Sequence, residues 1–531
     1  MSGGTPIIKL ICLCALLLHS AAQCASPLPV TAFSRLPQIQ DAALSPSGQL
    51  VGLQMNLQGQ GVVLVRDMRS KALHKVISSD NKVFRINWFR WINDERLLVS
   101  VRFPAVRYRR LTAETRLISV MHDGSDAFDL VKNMSPLSNL QDSVVDLLPE
   151  DDEHILISSI SERERPPSPA VYRVNVYEGD FIREQRSRAQ VSNWIADQQH
   201  RIRLGLKNAD GVSSVIYRDG DEEWRTLWQF RPYSAQEVLP LGFDLDAYTL
   251  YVSAYKDGRR AVYKVDLRDK ALALEPVFSD KKYDVEGHLL YFKRQVVGVR
   301  SARDGYYYIW DEAYDQLFEQ IEESFPYHRS HIISVTRDQR FVLMLVENAS
   351  DPGTYYYVDR QENTYQKLGS SYPELLEAGV LTASQRVEYK ARDGVGIEAY
   401  LSKPKGAGNT PRPAIIFPHG GPMDHDDGSF DYWTAYFVSR GYVVLQMNYR
   451  GSSGYGIDFL KAGFNNWGLL MQDDISDGTE WLIEQGGVDP ERICIVGASF
   501  GGYAAMMGLA DRPDLYRCGV SFAGISDLPQ F

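Results

Sequence analysis

The sequence predicts two domains: a β-propeller of about seven blades, followed by an α/β-hydrolase domain whose sheet is mostly parallel. Three observations predict this fold class. A loose repeat fills residues 32–378, strands alternate with helices over 380–531, and a serine between glycines, Ser499, follows one of the later strands. A chain of 531 residues is also too long for one ordinary core, so two or more domains are expected.

Residues 1–25 are typical of a secretory signal peptide. Lys9 precedes an apolar run that ends at Leu18, and small residues follow it. The run is shorter than the roughly 20 apolar residues that span a bilayer. Cleavage after Ala22 fits the preference for small residues, whereas the residues around Cys24 do not form a good lipidation sequence. We therefore expect a secreted or periplasmic protein with no membrane span and no lipid anchor at Cys24.

The repeat in residues 32–378 has the length of a propeller blade. Copies begin near residues 41, 86, 142, 192, 236, 283 and 331, which leaves gaps of 44 to 56 residues. Four short strands with their turns need about 40 to 50 residues, the size of one blade. The copies therefore predict about seven blades. A pair of β-sandwiches is the alternative, although it would not keep one period over so many copies.

The predicted second domain, residues 380–531, alternates strands with helices. Apolar runs typical of buried strands are PAIIFP, YVVLQMNY, RICIVG and CGVSFAG, and helical segments lie between them. Strands that alternate with helices indicate a parallel sheet. A hairpin with Asp393 and Gly394 at its turn precedes these strands, so the sheet is expected to be mostly, not wholly, parallel.

Ser499 lies in the sequence GASFG, between a strand and a helix. The pattern G-x-S-x-G places a serine on a sharp strand-to-helix turn, where bulky neighbours would clash. The first N–H groups of the following helix favour negative charge that develops beside the serine. Ser499 is therefore the candidate nucleophile. The alternative is a glycine and serine turn that only joins the strand to the helix.

A second glycine-rich segment, HGGP, begins at His419 and follows the strand AIIFP. In α/β-hydrolases such a loop supplies one backbone N–H of the oxyanion hole, and the residue after the nucleophile supplies the other. We therefore predict that the amides of Phe500 and Gly420 bind the oxyanion, with His419 anchoring the loop. A metal held by His419, His425 and nearby aspartates is the alternative, but no second ligand cluster supports it. No metal or cofactor is predicted.

Five motifs follow one another in the second domain: PHGGP (418–422), NYRGSSGYG (448–456), QDDISDGTEWL (472–482), DPERICIVGASFGGYAAM (489–506) and AGISDL (523–528). With these motifs the chain resembles the prolyl oligopeptidase family of serine peptidases, closest to its acylaminoacyl-peptidase and dipeptidyl peptidase-like branch. The resemblance implies that Ser499 is the nucleophile and that the propeller admits only short peptides. Prolyl oligopeptidase itself uses a tyrosine hydroxyl at the position of His419, so an amide near Gly420 is the implied substitute.

The acid and the histidine of the family's triad are not found after Ser499. Their expected order is Ser, then Asp or Glu, then His, but the last of the ten histidines is His425. Three aspartates that follow the serine come too early for the acid: Asp511, Asp514 and Asp527. Without an imidazole, a serine hydroxyl is a poor nucleophile. We expect the complete gene product to continue past Phe531 and supply both residues and the last strands, which makes this chain an incomplete, inactive fragment.

Two cysteines outside the signal region, Cys494 and Cys518, lie in apolar strand-like runs. We expect them to be buried free thiols, although export would allow their oxidation. Members of the family that remove dipeptides grip the substrate's N-terminus with adjacent glutamates. The pairs Glu222-Glu223 and Glu322-Glu323 match that feature by residue type alone, and acidic pairs on propeller loops are usually solvated.

With a net charge of −11, the protein lacks the excess of basic side chains that would neutralise the phosphates of a nucleic acid. No nucleic-acid partner is therefore expected. The leading expectation is a serine-type exo- or oligopeptidase that acts on short peptides through an acyl-enzyme. An esterase or acyl hydrolase is an alternative, because the same triad chemistry serves esters. A non-catalytic protein that binds partners through its propeller is a third. Substrate preference and oligomeric state stay open at this point.

Overall fold

The computed structural model describes residues 28–528, apart from 108, 135, 163, 221, 293, 302, 304 and 407–409. The signal peptide expected at residues 1–25, with Cys24, lies outside the described residues. Within them, seven small antiparallel sheets precede one six-stranded sheet. Seven is also the number of blades that the repeat predicts. In this part of the chain, no helix has both the length and the apolar character that crossing a bilayer requires.

In each small sheet, hydrogen-bonded neighbours follow one another in the chain. The first three sheets are β1 Ile39–Leu44, β2 Leu50–Leu57, β3 Gln60–Asp67 and β4 Leu73–Ser79; β5 Arg85–Trp91, β6 Arg96–Arg107, β7 Arg110–Met121 and β8 Phe128–Asp129; and β9 Val144–Asp146, β10 His154–Ser159, β11 Ala170–Asn175 and β12 Phe181–Gln185. The next two are β13 Val191–Ala196, β14 Ile202–Ala209, β15 Val212–Tyr217 and β16 Arg225–Phe230; and β17 Val238–Phe243, β18 Thr249–Lys256, β19 Arg259–Asp266 and β20 Glu275–Phe278. The last two are β21 Gly287–Phe292, β22 Gln295–Ser301 and β23 Tyr307–Ile309; and β24 Arg329–Val335, β25 Phe341–Asn348, β26 Asp351–Asp359 and β27 Thr364–Ser370.

The core of this region lies between neighbouring sheets. Val63 of β3 packs with Phe89 of β5 and Val99 of β6, and all three side chains are fully buried. β-branched and aromatic side chains suit the pleated face of a strand, which is why these residues form strands here. Fully burying each such side chain contributes about 1.5 to 3 kcal/mol. Packing between successive sheets therefore stabilises the arrangement along the chain.

The first small sheet packs against the last. Ile39 of β1 shares a buried cluster with Leu343 of β25, and the Leu44 N–H donates to Ser334 Oγ of β24 at 2.9 Å. Because the two ends of the series meet, the seven sheets form a closed ring. Such a ring fits the β-propeller that the sequence predicts.

The six-stranded sheet forms the centre of the second domain. Its strands are β28 Ser384–Lys390, β29 Gly396–Ser402, β30 Arg412–Ile416, β31 Val443–Met447, β32 Val488–Ala498 and β33 Cys518–Phe522. Their order across the sheet is β28-β29-β31-β30-β32-β33. The pairs β28–β29 and β29–β31 are antiparallel, while the other three pairs are parallel. The sheet is therefore mostly parallel and begins with a hairpin, as the sequence predicts.

Helices cover both faces of this sheet. The helices of the described residues are α1 Val30–Ser34, α2 Glu312–Ser324, α3 Pro373–Glu377, α4 Tyr432–Ser439, α5 Ile457–Lys461, α6 Leu470–Glu484 and α7 Phe500–Asp511, with a short 3-10 helix at Lys132–Met134. Ile416 of β30 packs in the cluster that contains α6 and α7, while its neighbour Ile415 packs with Val438 of α4. Successive strand residues point to opposite faces, so both faces need apolar residues and both are covered.

The short helix α1 precedes the ring in the chain but packs on the second domain. The Phe33 ring meets Tyr436 of α4 edge-on at 5.5 Å, and Ala32 is buried with Leu375 of α3. The N-terminal segment therefore joins the second domain before the chain enters β1. The domain limits of 32–378 and 380–531 stay predictions.

Cys494 and Cys518 form a disulfide, so the prediction of buried free thiols is wrong. The two cysteines are opposite each other in the parallel pair β32–β33, and their Cα atoms are 4.6 Å apart. Cys494 is partly buried and Cys518 is exposed. The prediction failed because sequence pattern gives the existence of two strands but not which residues lie opposite each other.

Candidate active site

Ser499 lies on the turn between β32 and α7, where the sequence predicts a nucleophile elbow. Its backbone has φ 55° and ψ −121°, a conformation that residues other than glycine rarely adopt. The Ser499 N–H donates to the Phe522 carbonyl at 3.0 Å, and its own carbonyl accepts from Tyr503 N–H at 3.0 Å. The end of β33 and the first turn of α7 therefore hold the strained residue, whose side chain is exposed.

Glycines surround this turn because no space is left for a Cβ. A Cβ on Gly497 would collide with the backbone of Gly501, and one on Gly501 would collide with the Pro418 carbonyl. A Cβ on Gly502 would lie 2.9 Å from the Cα of Gly524, closer than real Cβ atoms approach. The spacing of G-x-S-x-G thus follows from close backbone contacts on both sides of the serine.

Gly420 lies beside the serine. A Cβ built on Gly420 would be 3.5 Å from the Cβ of Ser499 and 3.4 Å from the Ala498 carbonyl oxygen. Phe500 is the first residue of α7, and the first N–H groups of a helix have no acceptor within the helix. The structure therefore brings together all three residues that the sequence predicts for the site: Ser499, Phe500 and Gly420. Their catalytic roles stay predictions.

His419 makes the contacts expected of a loop anchor. Its Nδ1 donates to the Gly420 carbonyl at 2.7 Å, and its Nε2 is hydrogen-bonded to the Ser452 hydroxyl at 2.9 Å. The ring stacks on Tyr449 with centroids 4.4 Å apart, and the Tyr449 hydroxyl donates to the His419 carbonyl at 2.8 Å. Burial lowers the pKa of His419 to about 4, so the ring is neutral near pH 7.

His425, the other histidine of this loop, is also hydrogen-bonded. Its Nε2 donates to the Arg303 carbonyl at 2.6 Å, and its Nδ1 accepts from Ser453 Oγ at 2.9 Å. In the part of the chain that the structure describes, no group of three or more His, Cys, Asp or Glu side chains is placed to hold a metal ion. The alternative of a metal at His419 and His425 therefore gains no support here.

Two of the three aspartates that follow Ser499 in the chain lie far from its hydroxyl. Asp511 is the last residue of α7, a helix of 12 residues, which places it about 18 Å along the helix axis from the serine turn. Asp514 pairs with Arg512 at 3.0 Å just beyond that helix. The third, Asp527, follows β33. Among the described residues, the Ser499 hydroxyl has no hydrogen-bond partner.

Sequence reasoning missed a buried ion pair between Arg450 and Asp474. Arg450 donates through Nε to Asp474 at 2.9 Å, and its backbone N–H donates to the same carboxylate at 2.9 Å. Arg450 is 5% exposed and Asp474 is fully buried. The pair joins the loop after β31 to α6. An arginine in NYRG and two aspartates in QDD were the available signal.

The chain forms a closed ring of small sheets, followed by a mostly parallel sheet with a serine on a strained strand-to-helix turn. These features define the class of proteins in which a β-propeller is joined to an α/β-hydrolase domain. Residues 428–531 match the sequence model described as "Prolyl oligopeptidase family". Residues 428–531, which contain Ser499, therefore match this family of peptidases, as the motifs predict. This match supports a hydrolase, and among hydrolases a peptidase.

Among curated proteins, the chain is 31% identical over 374 residues to dipeptidyl aminopeptidase BIII of Pseudoxanthomonas mexicana, covering 67% of this chain and 53% of that protein. It is 28% identical over 242 residues to dipeptidyl peptidase family member 6 of Caenorhabditis elegans, covering 42% of this chain and 33% of that protein. The chain thus spans about half of the first relative and a third of the second.

A solved structure has the same fold over nearly the whole chain. A puromycin-hydrolyzing peptidase of Mycobacterium tuberculosis superposes with a TM-score of 0.67 at 18% identity, covering 95% of this chain and 80% of that one. At this level of identity the likeness concerns the fold alone. It supports a propeller joined to a hydrolase domain.

Proposed function

We propose that the protein is a serine-type exo- or oligopeptidase that cleaves short peptides through an acyl-enzyme on Ser499. The observation that carries this proposal is the strained backbone of Ser499 at the start of α7, with Gly420 beside it. Strain of this kind costs about 1 to 3 kcal/mol and persists only where the surroundings impose it. The names of the related peptidases agree with a peptide substrate.

In the proposed reaction, Ser499 Oγ bonds to the scissile carbonyl carbon while a base takes the hydroxyl proton. The oxyanion that forms accepts hydrogen bonds from the amides of Phe500 and Gly420, and the N-terminus of α7 favours its charge. The C–N bond then breaks, the base returns its proton to the leaving amine, and water hydrolyses the ester. The resemblance implies a histidine base held by an aspartate. We propose that the complete coding sequence supplies both.

The propeller is proposed to restrict access to the serine. Two of its residues contact the loop that carries Gly420: the Arg303 carbonyl accepts from His425, and Arg329 pairs with Asp427 at 2.5 Å. These contacts support a ring that stands beside the site. Such a ring would admit flexible peptides and exclude folded proteins. A length series of peptides with one scissile bond, compared with a folded protein that contains the same bond, tests this point.

The experiment for the activity is a substrate panel on protein expressed from the complete coding sequence. We expect release of chromophore from aminoacyl- and dipeptidyl-chromogenic amides, and complete loss in Ser499→Ala. Faster turnover of simple acyl esters, with no turnover of any peptide amide, would favour the esterase instead. No turnover of either class, by protein that is folded, would contradict both and leave the binding-protein alternative.

We also propose that the protein works outside the cytoplasm, after removal of the segment expected to be a signal peptide. The Cys494–Cys518 disulfide supports this proposal, because disulfides persist in oxidising compartments. N-terminal sequencing of protein isolated from its native cells tests the proposal. We expect the mature chain to begin at Gln23, and a chain that begins at Met1 in the cytoplasm would contradict it.

A further inference from the structure

One loop of the second domain contacts both the propeller and the segment that carries Gly420. We call residues 449–456 the bridging loop and residues 418–427 the oxyanion loop. In the bridging loop, the Ser452 hydroxyl is hydrogen-bonded to Nε2 of His419 in the oxyanion loop at 2.9 Å. At its other end, the Gly456 N–H donates to the Asp284 carboxylate of the propeller at 3.0 Å. The bridging loop is therefore held from both sides.

The propeller also contacts the oxyanion loop directly. His425 Nε2 donates to the Arg303 carbonyl at 2.6 Å, and a carbonyl oxygen can only accept, so this nitrogen carries the proton. The guanidinium of Arg329, at the start of β24, donates to the Asp427 carboxylate at 2.5 Å and also to the Asp427 carbonyl. Arg329 is mostly buried in this contact. Two propeller arginines thus hold the second half of the oxyanion loop.

The position of Arg303 is itself fixed. Its guanidinium donates to Glu398 of β29 at 2.5 Å and lies 3.6 Å from the centroid of the Tyr283 ring. Glu398 also accepts from the hydroxyls of Tyr283 at 2.6 Å and Tyr455 at 2.9 Å. Arg303 and Glu398 are 5% and 4% exposed. Because this buried pair is hydrogen-bonded on several sides, the Arg303 carbonyl is presented to His425 at one place.

We propose that Arg329 and Arg303 are positioning residues, whose contacts with the oxyanion loop hold the Gly420 amide against Ser499. This inference rests on the proposed function, in which that amide binds the oxyanion. His425 and Asp427 lie five and seven residues after Gly420, so the propeller holds the loop close to the donor. A misplacement of about 1 Å lowers rates by about 100-fold, because the hydrogen bond must fit the transition state. Docking of the propeller would thus complete the oxyanion hole.

Arg329→Gln, made in protein from the complete coding sequence, breaks the pair with Asp427 and leaves the oxyanion loop's own sequence unchanged. We expect the rate constant for fluorophosphonate labelling of Ser499 to fall about 10- to 100-fold, with probe binding changed less than about twofold. Asp427→Asn should give a similar loss, and the double variant should lose little more. Arg329→Lys keeps the positive charge but not the planar guanidinium that contacts both the Asp427 carboxylate and the Asp427 carbonyl. It should therefore recover only part of the labelling rate.

Lys282→Gln is the matched control. Lys282 of the propeller pairs with Glu398 and Glu388 of the second domain at 3.3 and 3.6 Å, without contacting the oxyanion loop. Because Glu398 also accepts from Arg303 and from the hydroxyls of Tyr283 and Tyr455, we expect it to stay in place in this variant. We expect labelling at the wild-type rate. Each protein is labelled at a temperature well below its own melting temperature, so that partial unfolding does not contribute.

The outcomes separate this inference from the proposed function. If the wild-type protein does not label, the proposed function fails. If it labels, and Arg329→Gln and Asp427→Asn label at the same rate, the positioning role is wrong while the proposed function stands. If Lys282→Gln slows as much as Arg329→Gln, general loosening of the domain contact explains the loss and the positioning role is also wrong. A selective loss in the two loop-contact variants supports it.

Discussion

The backbone of Gly501 lies directly against the carbonyl oxygen of Pro418, with no space for a Cβ between them. This contact packs the first turn of α7 under the loop that follows β30. It therefore fixes the distance between the nucleophile turn and the segment that carries Gly420. The close backbone approach is the physical reason for the second glycine of G-x-S-x-G.

Gly501→Ala should destabilise the second domain, because the added methyl group collides with the Pro418 carbonyl. Overpacking of this kind costs about 1 to 3 kcal/mol. We expect a lower urea midpoint with an unchanged slope. Met506→Ala, on the same helix at a side chain that is 37% exposed, serves as the control and should shift the midpoint much less. Equal midpoints for Gly501→Ala and wild type would show that the contact is not as close as described.

Ser499→Gly should be more stable than Ser499→Ala. At ordinary positions alanine is favoured over glycine by about 0.4 to 1 kcal/mol, because glycine gains more entropy on unfolding. At φ 55° and ψ −121° the order should reverse, since only glycine adopts this conformation without strain. Chemical denaturation of the two variants measures the difference. An alanine variant at least as stable as the glycine variant would argue against a strained turn.

Removal of the Cys494–Cys518 disulfide should destabilise the protein by about 3 kcal/mol, the value expected for a closed loop of 24 residues. The double variant Cys494→Ser/Cys518→Ser should unfold at lower urea than the oxidised wild type. Under dithiothreitol the two proteins should unfold at similar concentrations, which is the control. Detection of two free thiols in the unreduced, denatured mature protein would contradict the pairing.

The pH dependence of stability should contain a contribution from His419. Burial lowers its pKa from 6.5 in the unfolded chain to about 4 in the folded protein. Between these values the unfolded chain binds a proton that the folded protein does not, so stability falls as the pH decreases from about 6.5 to about 4. Above 6.5 the ring is neutral in both states and contributes no slope.

His419→Gln is the comparison that isolates this contribution, because the carboxylates titrate in the same pH range in both proteins. The melting temperature of wild type should fall more steeply than that of His419→Gln between pH 6.5 and 4. The two profiles should run parallel above pH 6.5. A constant difference over the whole range would show that His419 is not buried in its neutral form.

Much of the framework could be predicted from the sequence because periodic patterns report on it. The copies near residues 41 to 331 indicated the series of small sheets, and apolar runs indicated the parallel strands of the second domain. G-x-S-x-G and HGGP indicated that Ser499 and Gly420 belong to one site, since each follows a strand that ends at the same edge of the sheet. The glycines were informative because their spacing reflects backbone contacts.

Features that depend on register or on contacts between distant segments could not be predicted. The disulfide requires that Cys494 and Cys518 lie opposite each other, and no periodic pattern reports strand register. The packing of Phe33 on α4 joins residues about 400 apart in the chain, with no local signal. The pair of Arg303 and Glu398 is likewise set by docking of the two domains. Helix α2 lies where the repeat predicts another strand.

The most direct test of the central claim is labelling of protein from the complete coding sequence with a fluorophosphonate probe, followed by mass spectrometry of the peptides. We expect one covalent adduct, on the peptide that contains Ser499, and none in Ser499→Ala. Folded wild-type protein that forms no adduct, or forms it on a different residue, would contradict the assignment of Ser499 as the nucleophile.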